Sequence, residues 1–180
     1  MRSAQTRERG LTDGLRTDYQ HSASGVSLGR MGELRLEELN ARNVVAANAL
    51  TLKPGQEQFV APESYSAEAA AADPSTSWQR VVLDGDTVVG FIMGDFNPDA
   101  QNEVFTSILW RINVEATEQG HGVGTFAVKA LADEARRRGQ DHLNVIWETG
   151  ELGPESFFLH NGFVPVGETR YGETIAKLTL

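Results

Sequence analysis

Three glycines in five positions, within Gln119-Gly120-His121-Gly122-Val123-Gly124, separate a strand pattern from a helix pattern. No other feature constrains the chain as much. Glycine adopts positive φ and allows close backbone approach at little steric cost. Beyond the turn, Val123, Phe126, Ala127, Ala130, Leu131 and Ala135 recur at helical spacing. Arg136-Arg137-Arg138 closes that run where positive charge suits the helix dipole, and Gly139 stops it. No Ser, Thr, Asp or Asn occupies positions 119–124. The first N–H groups of the helix therefore lack a side-chain cap, and a helix N-terminus favours an anion. Glu118, just upstream, opposes this if it turns inward.

Several readings of such a turn compete. A P-loop requires Gly-Lys-Ser/Thr at its end, and the turn holds no lysine. A dinucleotide fingerprint follows the first strand of a βαβ unit, with an acidic residue ending the next strand. Here the turn comes late, and Glu148 lies farther along than that spacing allows. Gln119-x-x-Gly122-x-Gly124 fits Gln/Arg-x-x-Gly-x-Gly/Ala, the pyrophosphate loop of the Gcn5-related N-acetyltransferases (GNAT). A helix-start turn that binds nothing stays open on the motif alone.

The rest of the chain reads as one mixed α/β domain behind a polar leader, Met1–Arg30, the domain running from residue 31 to 180. Strand Glu33–Leu36 leads, through Asn40 as N-cap, to a helix Ala41–Leu50, and a second helix spans Ser64–Ala72 before Pro74. Trp78–Leu83 and Thr87–Gly94 form a hairpin on Asp84-Gly85-Asp86. A strand over Thr106–Val114 feeds the glycine turn and the helix to Arg138. Strand His142–Trp147, helix Pro154–Asn161 and strands Phe163–Val166 and Thr174–Leu180 complete the order. With 40% hydrophobic and 23% charged residues, 180 residues suffice for one packed core.

Charge and composition exclude several functions. The net charge of −9 argues against nucleic acid, whose phosphates need a basic surface, and is compatible with a cationic small substrate. There is no cysteine, hence no disulfide, thiolate metal site or thiol nucleophile. His21, His121, His142 and His160 show no metal-ligand spacing, so no metal is expected. No apolar run nears the roughly 18–20 residues of a membrane span, and no secretory signal pattern opens the chain. The expected location is the cytoplasm, with no membrane partner.

From Glu33 to Leu180 the element order resembles the GNAT fold: a central, mostly antiparallel sheet, splayed at the cofactor site and flanked by helices. It is similar in detail to a bacterial branch of spermine/spermidine or diamine N-acetyltransferases. The resemblance rests on Glu57-Gln58-Phe59-Val60-Ala61-Pro62, Tyr65-Ser66, Val89-Gly90-Phe91-Ile92-Met93 and Leu109-Trp110-Arg111-Ile112. The glycine turn, Asn161-Gly162-Phe163 and Gly172-Glu173-Thr174 add to it. It implies acetyl-coenzyme A as co-substrate and transfer of acetyl to an amine, polyamines first, an aminoglycoside-like or peptide amine otherwise. The strand ending at Ile112, Asn113 and Val114 should splay from Leu143–Trp147 and bond the pantetheine arm like an added strand. A bulge in it would aim an N–H, that of Val114, at the thioester oxygen. The amides of Gly120, His121, Gly122, Val123, Gly124 and Thr125 would hold the pyrophosphate. Homodimers are common in this superfamily, though no feature here decides the state.

Direct transfer requires the amine, with a pKa near 10, to lose a proton and the thiolate to gain one. The family often uses a tyrosine as acid, four residues before the glycine of the Gly-Phe pair. Phe158 stands there and has no proton to give. Phe157 and Phe158 then read as core packing with contact to pantetheine, and Tyr171 is the reserve acid. A binder of coenzyme A with little turnover is the rival reading. Glu103, Glu148 and Glu151 are candidate bases, Glu148 favoured because it follows the splayed strand. Glu57, Glu63, Asp95 and Glu103 could form a negative funnel, and Trp110 and Trp147 read as packing.

Overall fold

A computed structural model describes residues 33–62 and 75–180. The leader expected over Met1–Arg30 and the helix expected over Ser64–Ala72 lie outside these residues. Strand β1, Leu34–Glu38, is followed by helix α1, Val44–Asn48, shorter than its sequence suggests. Two asparagines account for its later start. Asn40 Oδ1 accepts from Arg42 N at 2.8 Å, and Asn43 Oδ1 accepts from Asn40 N at 2.9 Å. These bonds hold residues 41–43 in turns, offering the backbone an alternative to helix.

Strands β2, Ser77–Asp84, and β3, Thr87–Asp95, form the expected hairpin, with Gly85 at φ 58°. Strand β4, Ile108–Val114, begins two residues later than expected. Thr106 instead closes a 3-10 turn, its hydroxyl donating to the Glu103 carbonyl at 2.8 Å. Helix α2, Val123–Arg137, strand β5, His142–Trp147, and helix α3, Glu155–His160, follow, then strands β6, Val164–Glu168, and β7, Thr174–Thr179. No helix among the described residues is long and apolar enough to cross a membrane.

Among the described residues, seven strands form one sheet in the order β1-β2-β3-β4-β5-β7-β6. Every neighbouring pair is antiparallel except β4 and β5. That parallel contact covers only Ile108↔Asn144 and Leu109↔Val145. The cause lies in the next residue. On β3, Met93 faces Arg111 and Gly94 faces Leu109, leaving Trp110 as an extra residue on β4. A bulge bends its strand and increases local twist. Beyond Trp110, β4 keeps its pairing with β3 as far as Gly90↔Val114, while β5 stays with β7 as far as Trp147↔Thr174. The two strands thus part into a V that opens at their C-terminal ends.

Helix α2 covers one face of the sheet. Val123, Ala127, Val128, Leu131 and Ala135 meet Ile92, Leu109, Leu143, Val145 and Trp147 in the main core. Burying one side chain such as Leu131, which has no exposed area, stabilises the fold by about 1.5–3 kcal/mol. Two glycines of β3 set the helix height. A Cβ on Gly90 would lie 3.1 Å from Val123 Cγ1, and one on Gly94 would lie 2.4 Å from Leu131 Cδ1. Eight helical residues rise about 12 Å and four strand residues about 13 Å, so the spacings match. Val123 is thereby held over Gly90, which pairs with Val114. This fixes the glycine turn above the end of β4.

Candidate active site

Alternation along β4 decides which backbone groups face the V. Glu115 N donates to Val89 O at 3.0 Å, making that a hydrogen-bonded antiparallel pair. Stepping back by two, Asn113 also turns its backbone toward β3. Ile112 and Val114 present theirs to the edge that β5 has left. Of the three residues expected to bond pantetheine, Ile112 and Val114 have the required orientation and the Asn113 backbone does not. The Asn113 side chain is buried; in the orientation that satisfies both ends it donates to Ile112 O at 2.9 Å and accepts from Arg111 at 3.1 Å. The bulge is four residues from Val114, so its part is to split the strands.

A 3-10 turn, Ala116–Glu118, carries the chain to the glycines. Gly120 and Gly122 both have φ 87°, a left-handed conformation that favours glycine. A Cβ on either would meet nothing within 4 Å, so the turn borders open space. Gly122 is the N-cap, with no side-chain cap and no acidic residue in the first turn of α2. The first helical bond here is Phe126 N to Gly122 O at 2.9 Å, and the earlier amides of Val123, Gly124 and Thr125 have no acceptor within the helix. His121 N is engaged, donating to Glu118 O at 3.3 Å, and its exposed ring lies 3.7 Å from the Glu118 carboxylate. Gln119 turns inward: its Nε2 donates to Val114 O at 3.1 Å and to Gln56 Oε1 at 2.8 Å.

Phe158 belongs to the core. It is 3% exposed, stacks on Trp147 with centroids 5.4 Å apart, and meets Phe157 and Phe163 edge-on. It offers a ligand little surface. The ring beside the turn is Phe157, whose Cε2 would lie 2.8 Å from a Cβ on Gly124. Trp147 is a packing residue with one unusual property: its buried Nε1 has no hydrogen-bond partner. Such a donor costs about 1–3 kcal/mol when nothing accepts from it.

The two side chains assigned to proton transfer come together. Trp147↔Thr174 is the last β5–β7 pair, so Glu148 leaves the sheet beside Glu173. Glu148, Thr149, Tyr171, Gly172 and Glu173 line a cavity of about 280 Å³. The Tyr171 hydroxyl accepts from Arg170 Nη2 at 2.5 Å. Glu173, almost fully buried, accepts from the Thr169 hydroxyl at 2.6 Å.

Two other acidic candidates lie elsewhere. Glu103 and Asp95 lie at the N-terminal end of β4, the end opposite Val114. Asp95 is buried and accepts from the Thr76 hydroxyl at 2.6 Å. Glu57 accepts from Gly55 N at 2.8 Å, Glu151 is an exposed loop residue, and Glu63 lies outside the described residues. Asp95 and Glu103 therefore lie away from the acceptor side on which the funnel was expected. His160 is exposed, His142 opens β5 beside Asp141, and Trp110 packs on Phe105 at 5.7 Å. Sequence reasoning missed Gln56, Phe157 as the ring at the turn, and the Thr149 and Glu173 walls of the cavity. The motif Gly172-Glu173-Thr174 was the available signal for Glu173; Gln56 carried none.

Comparison with known proteins agrees with this geometry. The sequence pattern of the Acetyltransferase (GNAT) family matches residues 46–163. The chain belongs to that family. Over 79 residues it is 30% identical to L-2,4-diaminobutyric acid acetyltransferase of Virgibacillus pantothenticus. That match spans 44% of this chain and 48% of the relative, so the chain spans about half the length of the curated relative it matches. The ribosomal-protein-S18-alanine N-acetyltransferase of Escherichia coli superposes with TM-score 0.58 at 17% identity, covering 82% of this chain and 94% of its own. An aminoglycoside 6'-N-acetyltransferase complexed with coenzyme A gives TM-score 0.57 at 17% identity, covering 81% and 96%. Both structural likenesses are of fold.

Proposed function

We propose that this protein transfers the acetyl group of acetyl-coenzyme A to a primary amine of a small molecule, diamines and polyamines favoured, by direct attack. The acting domain is residues 31–180, behind a leader of residues 1–30, in the cytoplasm. One observation carries the reading: the outward edge of β4 at Ile112 and Val114 adjoins an uncapped helix start bordered by two left-handed glycines. One donor set suits amide and thioester carbonyls, the other a pyrophosphate. The open space at Gly120 and Gly122 suits that anion. The chemistry the co-substrate supplies is an acetyl thioester.

The chain's own groups then take distinct roles. The Val114 N–H opposes charge developing on the thioester oxygen; the loss of one such donor elsewhere costs about 10²–10³ in kcat. Ile112 aligns the arm, and the amides of Gly120, Gly122, Val123, Gly124 and Thr125 hold phosphate. Glu148 takes the amine's proton through water, and Tyr171 is the reserve donor for the departing sulfur. Glu148 and Glu173 give the acceptor side a carboxylate-lined wall, which suits an acceptor with a second cationic nitrogen. The relative named for diaminobutyric acid acts on such an amine, which supports the same class.

A second reading follows from Phe158, whose ring has no hydroxyl at the family's acid position: binding of coenzyme A with little turnover. The test is thiol release from acetyl-coenzyme A with spermine, spermidine, short diamines, 2,4-diaminobutyrate, an aminoglycoside or no acceptor. Saturable release with di- or polyamines supports the proposal. Cofactor binding without release from any acceptor overturns it in favour of the binder.

A further inference from the structure

Residues 51–59 run across the mouth of the V and are tied to both arms. On the β4 side, Ala116 N donates to Thr51 O at 2.8 Å, and Thr51 N donates to Glu115 Oε2 at 2.9 Å. The Thr51 hydroxyl donates to the same carboxylate. On the β5 side, a Cβ on Gly55 would lie 2.7 Å from Leu152 Cδ1, and one on Gly150 would lie 2.7 Å from Phe59 Cζ. In the middle, Gln56 and Gln119 exchange two amide bonds, of 2.8 and 3.2 Å.

The orientation of these amides follows from bonding alone. The Val114 carbonyl needs a donor, so Gln119 must present its NH2 group, which then donates once to Val114 O and once to Gln56 Oε1. Gln56 Oε1 must face Gln119, and it also accepts from Lys53 N at 3.1 Å. Gln56 thus locks a rotamer that would otherwise be free to turn its oxygen toward Val114 and leave that carbonyl unpaired.

We propose that Gln56 is a positioning residue for acetyl transfer: by orienting Gln119 onto the Val114 carbonyl, it fixes the Val114 N–H that faces the reacting thioester. This rests on the acetyl-transfer reading. The carbonyl and N–H of Val114 share one edge of the strand, and nothing from β5 restrains them there. Side-chain donors from the turn replace the missing ladder. The same link joins the strap to the pyrophosphate turn, so the acceptor side and the cofactor side share one hydrogen-bonded residue.

The test compares Gln56→Met with Gln56→Glu in the full chain. Methionine keeps the length and removes every polar bond. Glutamate keeps both acceptor bonds, to Lys53 N and Gln119 Nε2, the latter now charge-assisted, and sets an oxygen in place of the Nε2 that donated across 3.2 Å. Gln56→Met should lower kcat about 10-fold, with KM for acetyl-coenzyme A within about twofold and melting temperature within about 2 °C of the parent. Gln56→Glu should restore kcat to within about threefold. Hydrogen exchange over residues 111–119, measured without ligand, should be faster in Gln56→Met and unchanged in Gln56→Glu. Parent-like kcat in Gln56→Met overturns the proposal. So does loss of kcat in both variants, or a fall that merely tracks melting temperature. If the parent chain releases no thiol with any amine, the acetyl-transfer reading fails. Exchange then judges the Gln56 link on its own, and equal exchange in all three proteins refutes it.

Discussion

Gly122 concentrates two demands in one residue, a left-handed backbone and an empty face. Gly122→Ala adds no clash, so its cost is conformational, about 1–2 kcal/mol. The turn relaxes that strain by moving its amides, so affinity for acetyl-coenzyme A should fall with stability. Gly122→Asn should lose less of both, because asparagine tolerates this region. A urea melt and an acetyl-coenzyme A titration on each variant check this. A second prediction concerns Glu115. The Thr51 hydroxyl, then the Thr51 amide, hold its carboxyl below the ordinary value of 4.5, against a smaller opposing effect of burial. A folded pKa that is depressed adds stability above the unfolded pKa, and that stability is lost as pH falls through the folded value. Thr51→Val removes the largest cause. The gap in urea midpoint between parent and Thr51→Val should be full at pH 7 and shrink once pH drops below about 4.5. A gap that is constant down to pH 3 would show that the hydroxyl acts only through packing.

At the scale of elements, the site depends on how closely α2 approaches β3. Gly94→Ala places a methyl 2.4 Å from Leu131 Cδ1 and pushes the helix outward, at a cost of about 1–3 kcal/mol. Leu131→Ala alone leaves a cavity and costs about 2–5 kcal/mol. The double variant should be more stable than the sum predicts, by about 1 kcal/mol or more, because the methyl fills part of the space the leucine vacates. Strict additivity in denaturant melts would mean that Gly94 does not set the helix height. These elements were legible to different degrees. The bounds of α2, β5 and α3 could be read closely, since each pairs a clear period with a stop such as Gly139 or Gly162. A bulge in β4 was implied by the resemblance, but its place at Trp110 could not be read, because no glycine or proline on the strand marks it; what creates it is pairing with β3. The late start of α1 reflects side-chain bonds of Asn40 and Asn43 that composition alone does not rank against helix. The turn was visible as a motif, whereas its coupling to Gln56 lies in a contact 63 residues apart in sequence.

Over the whole molecule, charge discriminates between the two partners of the proposed reaction. The chain carries a net charge of −9, and two acidic residues, Glu148 and the almost fully buried Glu173, are among those lining the cavity beside the V. A polycationic acceptor is drawn toward such a surface and an anionic cofactor is repelled by it. Screening acts on both: the Debye length falls from about 30 Å at 0.01 M salt to about 8 Å at 0.15 M. Raising salt should therefore increase KM for spermine, by about fivefold or more over that range, and lower KM for acetyl-coenzyme A, with kcat nearly constant. A monoamine should show a much smaller rise. Within that pattern the cavity has its own signature. Glu148→Gln removes both local charge and the proposed base, so it should lower kcat about 10²-fold and also weaken the salt dependence for spermine. Tyr171→Phe removes only a hydroxyl and should leave the salt dependence intact while lowering kcat. If KM for spermine proves independent of salt, or moves in the same direction as KM for acetyl-coenzyme A, the acceptor is not selected by charge. The carboxylates of the cavity would then serve proton transfer or structure alone.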